Sequence, residues 1–185
     1  RTRINLTIER TDDNLMMWPA GITVSYIITI GSTLECELIT HNQGEEPVTI
    51  GQALHTYFRV GDIKKAVIHG LDELVYLDKA NGFSRRQQVG PVVIDREVDR
   101  IYLDSVMDCV IEDTELDRKI VIIKSGSRST VVWNPWYEVA DKMGDLGPEG
   151  YRNMLCVESA NAADDVVVIQ PGRAHHLWVQ YEVTH

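Results

Sequence analysis

Two side chains in this sequence are of types that can move protons together. His55 lies in the strand-like segment Gln52–Phe58, and Glu158 ends the apolar run Leu155–Val157. An imidazole and a carboxylate can act as general acid and general base, and such a site requires no metal, nucleotide or covalent intermediate. We therefore take His55 and Glu158 as the candidate catalytic pair, and we predict no cofactor and no metal.

Both residues also have an ordinary structural explanation. A half-buried strand histidine that hydrogen-bonds to a neighbour would account for His55. Burying an unpaired carboxylate is costly, so Glu158 is paired, at the exposed end of its strand, or functional. The two segments alone leave these alternatives open.

Four further residues could bind a polar ligand. Asp99 could accept hydrogen bonds from hydroxyl groups, and Arg100 could orient it or bind an anion; a surface ion pair is the alternative. Trp133 and Asn134 combine an aromatic face with an amide, as sugar-binding sites often do, although packing of the tryptophan in the core would explain it equally well.

Alternating apolar residues indicate the elements that must position these side chains. The alternation over Ile22–Ile30 resumes at Leu34–Leu38 after Gly31-Ser32, which predicts a β-hairpin with a two-residue turn. Similar short runs predict further strands at about residues 52–58, 66–69, 74–77, 91–94, 109–112, 119–123, 130–133, 154–158, 166–169 and 174–183. With one short helix over Pro135–Met143, this pattern predicts an all-β sandwich or barrel that forms a single domain over residues 1–185.

The composition of the chain disfavours several classes of binding partner. The 18 basic and 28 acidic residues give a formal net charge of −10, and without a basic cluster this disfavours nucleic-acid binding. No apolar run is long enough to cross a bilayer, so we predict no membrane partner. The three widely spaced cysteines fit reduced, buried thiols better than a disulfide framework, which predicts a cytoplasmic location.

Several motifs resemble the glucose-6-phosphate 1-epimerases, also called D-hexose-6-phosphate mutarotases, of the aldose 1-epimerase-like family. The resemblance covers nearly the whole chain, and together its motifs are highly specific. They are Ala53–Ile63, Asp99–Tyr102, Val132–Trp136, Met143–Asp145 and Cys156–Glu158.

The resemblance implies a galactose-mutarotase-like β-sandwich, or supersandwich, that interconverts the α and β anomers of hexose 6-phosphates. It implies His55 as general acid toward the ring oxygen, Glu158 as general base at the anomeric hydroxyl, and Asp99 as a residue that holds sugar hydroxyls. From these roles we expect Glu158 to be ionised at the working pH and His55 to carry a donatable proton.

The sequence departs from the family at its N-terminus. The resemblance would place a Gly-Gly-Ile-Pro-like segment and a His-Gly-Phe-Ala-Arg-like segment upstream, and neither occurs in this sequence. We therefore expect a sandwich that is partial at its N-terminus. Its open strand edges would favour self-association. The alternative function is a non-catalytic sandwich that binds carbohydrate or protein. Five arginines remain open as ligands for a phosphate: Arg59, Arg85, Arg86, Arg100 and Arg152.

Overall fold

Antiparallel β-strands make up most of the structure. The computed structural model describes residues 1–8 and 21–185. Its strands are β1 (Thr2–Thr7), β2 (Ile22–Ile30), β3 (Leu34–Asn42), β4 (Val48–Ile50), β5 (Gln52–Leu54), β6 (Tyr57–Arg59), β7 (Ala66–His69), β8 (Val75–Asp78), β9 (Ser84–Gln87), β10 (Val92–Val93), β11 (Val98–Tyr102), β12 (Cys109–Asp113), β13 (Arg118–Ser125), β14 (Ser129–Asn134), β15 (Met154–Asn161), β16 (Val167–Ile169) and β17 (Ala174–Thr184).

The strands form two large sheets. The first sheet has the order β1-β2-β3-β17-β13-β12-β7-β10. The second has the order β5-β15-β14-β11-β8-β9, with β6 also paired to β15, while β4 and β16 form a separate pair. Fully buried side chains of the first sheet, such as Ile111 and Leu177, belong to the same core as Tyr102 and Leu155 of the second. The predicted all-β sandwich is therefore confirmed.

The predicted hairpin is present with a longer turn. Strands β2 and β3 pair along their whole length, and Ile30 lies opposite Leu34. The connection is therefore three residues, Gly31 to Thr33, and the predicted two-residue turn is wrong. Alternation fixes which side chains share a face, but the length of the turn depends on the cross-strand register.

Other elements differ from the prediction where apolar alternation is weak or interrupted. The predicted strand over residues 52–58 is two short strands, β5 and β6, that are separated by His55 and Thr56. Asp99 and Arg100 lie inside β11, a strand that the sequence pattern did not predict. Strands β4 and β9 were missed, and the edge strand β9 is largely exposed. The predicted short helix is present as α1, Trp136–Ala140.

Cys36, Cys109 and Cys156 are free and buried, as predicted. Among the described residues, no helix has the length and apolar character needed to cross a membrane.

Candidate active site

Four neighbouring strands of the second sheet carry the candidate site. The cross-strand register places Tyr57 of β6 opposite Cys156 of β15, Cys156 opposite Trp133 of β14, and Trp133 opposite Asp99 of β11. Directly opposed residues of antiparallel strands project from the same face. These four side chains form a row on the face that points away from the main core, here called the site face. Glu158 lies two residues after Cys156, so it projects from this face as well.

The structure brings the predicted acid and base together. His55 Nε2 lies 3.3 Å from Glu158 Oε1. The His55 side chain is 50% exposed and Glu158 is 6% exposed, so the imidazole stands at the opening and the carboxylate lies beneath it. His55 occupies the break between β5 and β6, both of which pair with β15, the strand that carries Glu158.

Aromatic rings line one side of the pair. The rings of His55 and Tyr57 stack with centroids 4.9 Å apart and an interplanar angle of 11°. Trp133 meets both rings edge-on, at 5.8 Å from His55 and 5.9 Å from Tyr57. The predicted ligand residue Trp133 is therefore at the pair. Such a wall offers the apolar surface on which the C–H face of a sugar ring packs.

Asp99 also lies at the site face and carries an available acceptor. Its Oδ2 is 2.8 Å from Lys79 Nζ. Its Oδ1 is buried and accepts no hydrogen bond from the described part of the chain. An unsatisfied buried carboxylate oxygen is rare, and the Asp99 side chain as a whole is 21% exposed, so the residue can present an acceptor to a ligand hydroxyl.

Lys79 is a member of the site that the sequence did not indicate. It begins a single 3-10 turn, Lys79–Asn81, immediately after β8. A lone lysine after a strand ordinarily belongs to a solvated turn, and only the pairing of β8 with β11 brings it to Asp99. Nothing local in the sequence could have found it.

The surroundings of Glu158 alter its affinity for protons. Burial, together with a smaller effect of the nearby Asp99 charge, raises its pKa from the usual 4.5 to about 7, and the Lys79 charge opposes this rise. The carboxylate is therefore about half ionised near neutral pH. That Glu158 is ionised at the working pH stays a prediction.

Cys156 places a third polar group beside the pair. Ligand atoms of His55, Cys156 and Glu158 all lie within 4.8 Å of one another. Burial and the Glu158 charge raise the pKa of the Cys156 thiol, so it is protonated at neutral pH. The three cysteines are widely spaced in the sequence, and cross-strand neighbours cannot be identified from spacing along the chain.

Two predicted ligand residues project from the opposite face. Arg100 stacks over the Tyr76 ring at 4.7 Å and donates to Gln88 Oε1 at 3.3 Å, beneath the sheet. Asn134 is fully buried, and its amide donates to the backbone carbonyls of Tyr151 and Met154. The structure does not bring Arg100 or Asn134 together with His55 and Glu158.

Most of the arginines considered for a phosphate are already paired. Three form ion pairs: Arg85 with Asp164 at 3.4 Å, Arg86 with Asp78 at 3.7 Å, and Arg152 with Glu149 at 2.5 Å. Arg59 follows Tyr57 by two residues in β6, so alternation places it on the site face. It is exposed, and none of the ion pairs within residues 1–8 and 21–185 includes it.

Comparison with known proteins shows which family has this fold and site. The family model described as aldose 1-epimerase matches residues 1–182, and the chain belongs to that family. Its curated relatives include proteins named "Putative glucose-6-phosphate 1-epimerase". One from Escherichia coli K12 is 34% identical over 176 residues, and one from Cenchrus ciliaris is 32% identical over 174 residues.

These matches cover most of the chain and part of each relative. They span 93% of this chain and 58% of the Escherichia coli protein, and 91% of this chain and 53% of the Cenchrus ciliaris protein. The chain therefore spans a little over half the length of these relatives.

Solved structures confirm the predicted galactose-mutarotase-like fold. The YeaD protein of Salmonella typhimurium, described there as a putative mutarotase, superposes with a TM-score of 0.90 at 27% identity, over 98% of this chain and 60% of that one. A galactose mutarotase related enzyme from Lactobacillus acidophilus superposes with a TM-score of 0.77 at 10% identity, over 99% of this chain and 68% of that one.

Proposed function

We propose that this chain carries the catalytic pair of a mutarotase, with His55 as general acid and Glu158 as general base. The observation that carries the proposal is the 3.3 Å separation of His55 Nε2 and Glu158 Oε1 at an open, aromatic-lined face. The ring oxygen and the anomeric hydroxyl of a sugar are bonded to the same carbon. An acid and a base that act on both must therefore lie close to each other, as these two groups do.

Ring opening uses one proton transfer at each residue. Ionised Glu158 removes the proton of the anomeric hydroxyl while the bond between the anomeric carbon and the ring oxygen breaks. Protonated His55 donates to the departing ring oxygen, which becomes a hydroxyl, and the anomeric carbon becomes an aldehyde. Glu158 is now protonated and His55 is neutral, and no other reactant is consumed.

Reclosure reverses these roles on the other face of the carbonyl. After rotation about the bond next to the aldehyde, the hydroxyl adds to the carbon while His55 takes its proton and Glu158 protonates the carbonyl oxygen. The partly exposed side chain of Asp99, whose Oδ1 has no partner in the described part of the chain, holds a sugar hydroxyl. Trp133 supports the ring. Both catalytic groups return to their starting protonation state.

The proposed substrate is a hexose 6-phosphate. The name of the curated relatives supports this choice, and Arg59 offers a cation on the site face that is not engaged by an acidic side chain of the described residues. An arginine can bind a phosphate through two hydrogen bonds at once. If Arg59 holds the phosphate, Arg59→Ala should slow reaction of glucose 6-phosphate and leave reaction of glucose unchanged.

Relaxation of freshly dissolved α-D-glucose 6-phosphate toward its anomeric equilibrium tests the function. We expect the chain to accelerate it, as followed by NMR of the anomeric protons, with glucose and galactose measured alongside. Glu158→Gln and His55→Asn should each reduce the acceleration by roughly 10² to 10⁴, the usual contribution of one general acid or base.

The first sheet supplies a matched control. His69 Nε2 and Glu112 Oε2 form a second histidine–glutamate pair at 3.0 Å, on strands β7 and β12. His69→Asn and Glu112→Gln should leave the acceleration intact. A folded wild-type chain that accelerates none of the three sugars would contradict the proposal and favour the non-catalytic binding function.

A further inference from the structure

Cys156 belongs to the row on the site face, and the proposed reaction gives it no role. It lies beneath the rings of Tyr57 and Trp133, its two cross-strand neighbours, and it is fully buried. Its sulfur faces the same space as His55 and Glu158, because the ligand atoms of all three residues lie within 4.8 Å of one another. A nitrogen, a sulfur and an oxygen donor thus converge on one point.

The spacing of these donors suits a tetrahedral metal ion. Metal–ligand bonds of about 2.0 to 2.3 Å in a tetrahedral zinc site hold the ligand atoms roughly 3.3 to 3.7 Å apart. His55 Nε2 and Glu158 Oε1 already have this separation, at 3.3 Å. The sulfur of Cys156 has to approach by at most about 1 Å, and His55 can adjust because it lies in the break between β5 and β6.

The kind of donor selects the kind of cation. A thiolate and an imidazole favour zinc, cobalt or cadmium, whereas magnesium and calcium prefer sites built of oxygen atoms. A divalent ion that displaces the thiol proton meets one thiolate and one carboxylate, so the occupied cluster is neutral. Lys79 does not oppose this, because Asp99 pairs with it at 2.8 Å. Burial is compatible with such a neutral cluster.

We propose that His55, Cys156 and Glu158 form a binding site for a thiophilic divalent cation such as zinc. Three protein ligands leave the fourth tetrahedral position for water at the exposed side of His55. The ion would bind the imidazole nitrogen of His55 and the carboxylate oxygen of Glu158. The proposed reaction needs the same two groups for proton transfer, so the site holds either the cation or a substrate. Binding itself does not depend on the proposed function; the inhibition that follows from it does.

Titration of the full chain with Co²⁺ in chelator-free buffer tests the site directly. A cobalt–thiolate bond gives a charge-transfer absorption that oxygen and nitrogen ligands do not give. We expect this absorption to saturate at one equivalent per chain. It should vanish in Cys156→Ser, and Co²⁺ should bind at least tenfold more weakly to His55→Asn and Glu158→Gln, both of which keep the cysteine. Cys109→Ala, which removes another buried thiol, should retain the absorption.

Two results would overturn the proposal. One is the absence of thiolate charge transfer in the folded wild-type chain; the other is its persistence in Cys156→Ser. If the chain is a mutarotase, zinc should inhibit it and a chelator should restore the rate. If the chain binds Co²⁺ through Cys156 but does not accelerate anomer exchange, the proposed function is contradicted and the cation site is supported.

Discussion

Glu158 holds its proton more tightly than an ordinary carboxylate because β15 buries it beside a second acid. Burial and Asp99 raise its pKa to about 7, while Lys79 lowers it. A general base with a pKa near the working pH combines sufficient basicity with sufficient ionisation. The environment that makes the residue costly to ionise is therefore also the one that suits it to proton transfer.

The ionisation of Glu158 should set the acid limb of the activity profile. In buffer with a chelator, we expect the rate of anomer exchange to rise with pH through a midpoint near 7 as Glu158 deprotonates. Lys79→Met should move this midpoint to higher pH, because it removes a cation that favours the carboxylate and leaves the charge of Asp99 unpaired.

Lys65 provides the control for this shift. It forms an ion pair with Glu115 and is not among the groups that shift the pKa of Glu158, so Lys65→Met should leave the midpoint in place. An unshifted midpoint in Lys79→Met would show that Lys79 does not act on Glu158.

The same pKa predicts a dependence of stability on pH. Between pH 4.5 and about 7 the folded chain keeps the Glu158 proton that the unfolded chain has lost, so stability falls as pH rises. That difference corresponds to at most about 3 kcal/mol. Glu158→Gln should therefore increase the free energy of unfolding at pH 8 relative to wild type by more than it does at pH 5, as measured by urea denaturation.

Glu112→Gln should show the opposite sign. Hydrogen bonds from His69 and Lys119 lower the pKa of Glu112, so its contribution to stability is present at higher pH and is lost on acidification. Replacing it should cost more stability at pH 8 than at low pH. A stabilisation by Glu158→Gln that does not vary with pH would contradict the assignment of its pKa.

At the scale of elements, β15 organises the site. All eight of its residues are buried, and it pairs with β14 on one side and with β5 and β6 on the other. His55 reaches Glu158 because β5 and β6 share this neighbour. The break at His55 was not predictable from alternation, since residues 53 to 58 keep an alternating pattern of exposure through it.

The sequence could predict local faces and could not predict distant partners. The alternation of β2 and β3 is a property of neighbouring residues, and it gave the hairpin directly. The contacts of Lys79 with Asp99, and of Cys156 with His55, depend on the registers of β8, β11 and β15. Residue types made His55, Glu158 and Asp99 candidates and the resemblance to a family assigned their roles, whereas the face occupied by Asn134 required the register.

Asn134 should contribute to stability through the connection between β14 and α1. Its amide donates to two backbone carbonyls, and its Oδ1 accepts the N–H of Trp136, whose φ of 56° is unusual for a bulky residue. Asn134→Ala leaves these buried groups unsatisfied, so we expect a loss of about 2 to 4 kcal/mol in the free energy of unfolding.

An exposed asparagine gives the comparison for this loss. Asn5 lies on the exposed strand β1, and Asn5→Ala should change stability by less than about 0.5 kcal/mol. If Asn134→Ala unfolds like wild type and instead weakens sugar binding, the residue has the ligand role that the sequence suggested.

At the scale of the whole molecule, strand β1 lies at one end of the first sheet among the strands of residues 1–8 and 21–185. All six of its residues are exposed, including Ile4 and Leu6. Together with β2 and β3 it borders an apolar cavity of about 340 Å³. An exposed edge with apolar side chains is a template for pairing with another strand.

We therefore expect the purified chain to self-associate through β1. Sedimentation velocity should show a mass that grows with concentration, and added salt should strengthen the association by screening the net charge of −10. Leu6→Lys should restore the monomer, since lysine protects strand edges. Leu116→Lys places the same charge at an exposed leucine between β12 and β13 and should leave association unchanged. A monomer at all concentrations would contradict this expectation.

Anomer exchange of glucose 6-phosphate in four chains tests the central claim most directly: wild type, His55→Asn, Glu158→Gln and the double variant. Residues that act as one catalytic unit give losses that do not multiply. We expect each single variant to lose most of the acceleration and the double variant to be no slower than the slower single one. Wild-type rates in either folded single variant would contradict the assignment of His55 and Glu158 as the catalytic pair.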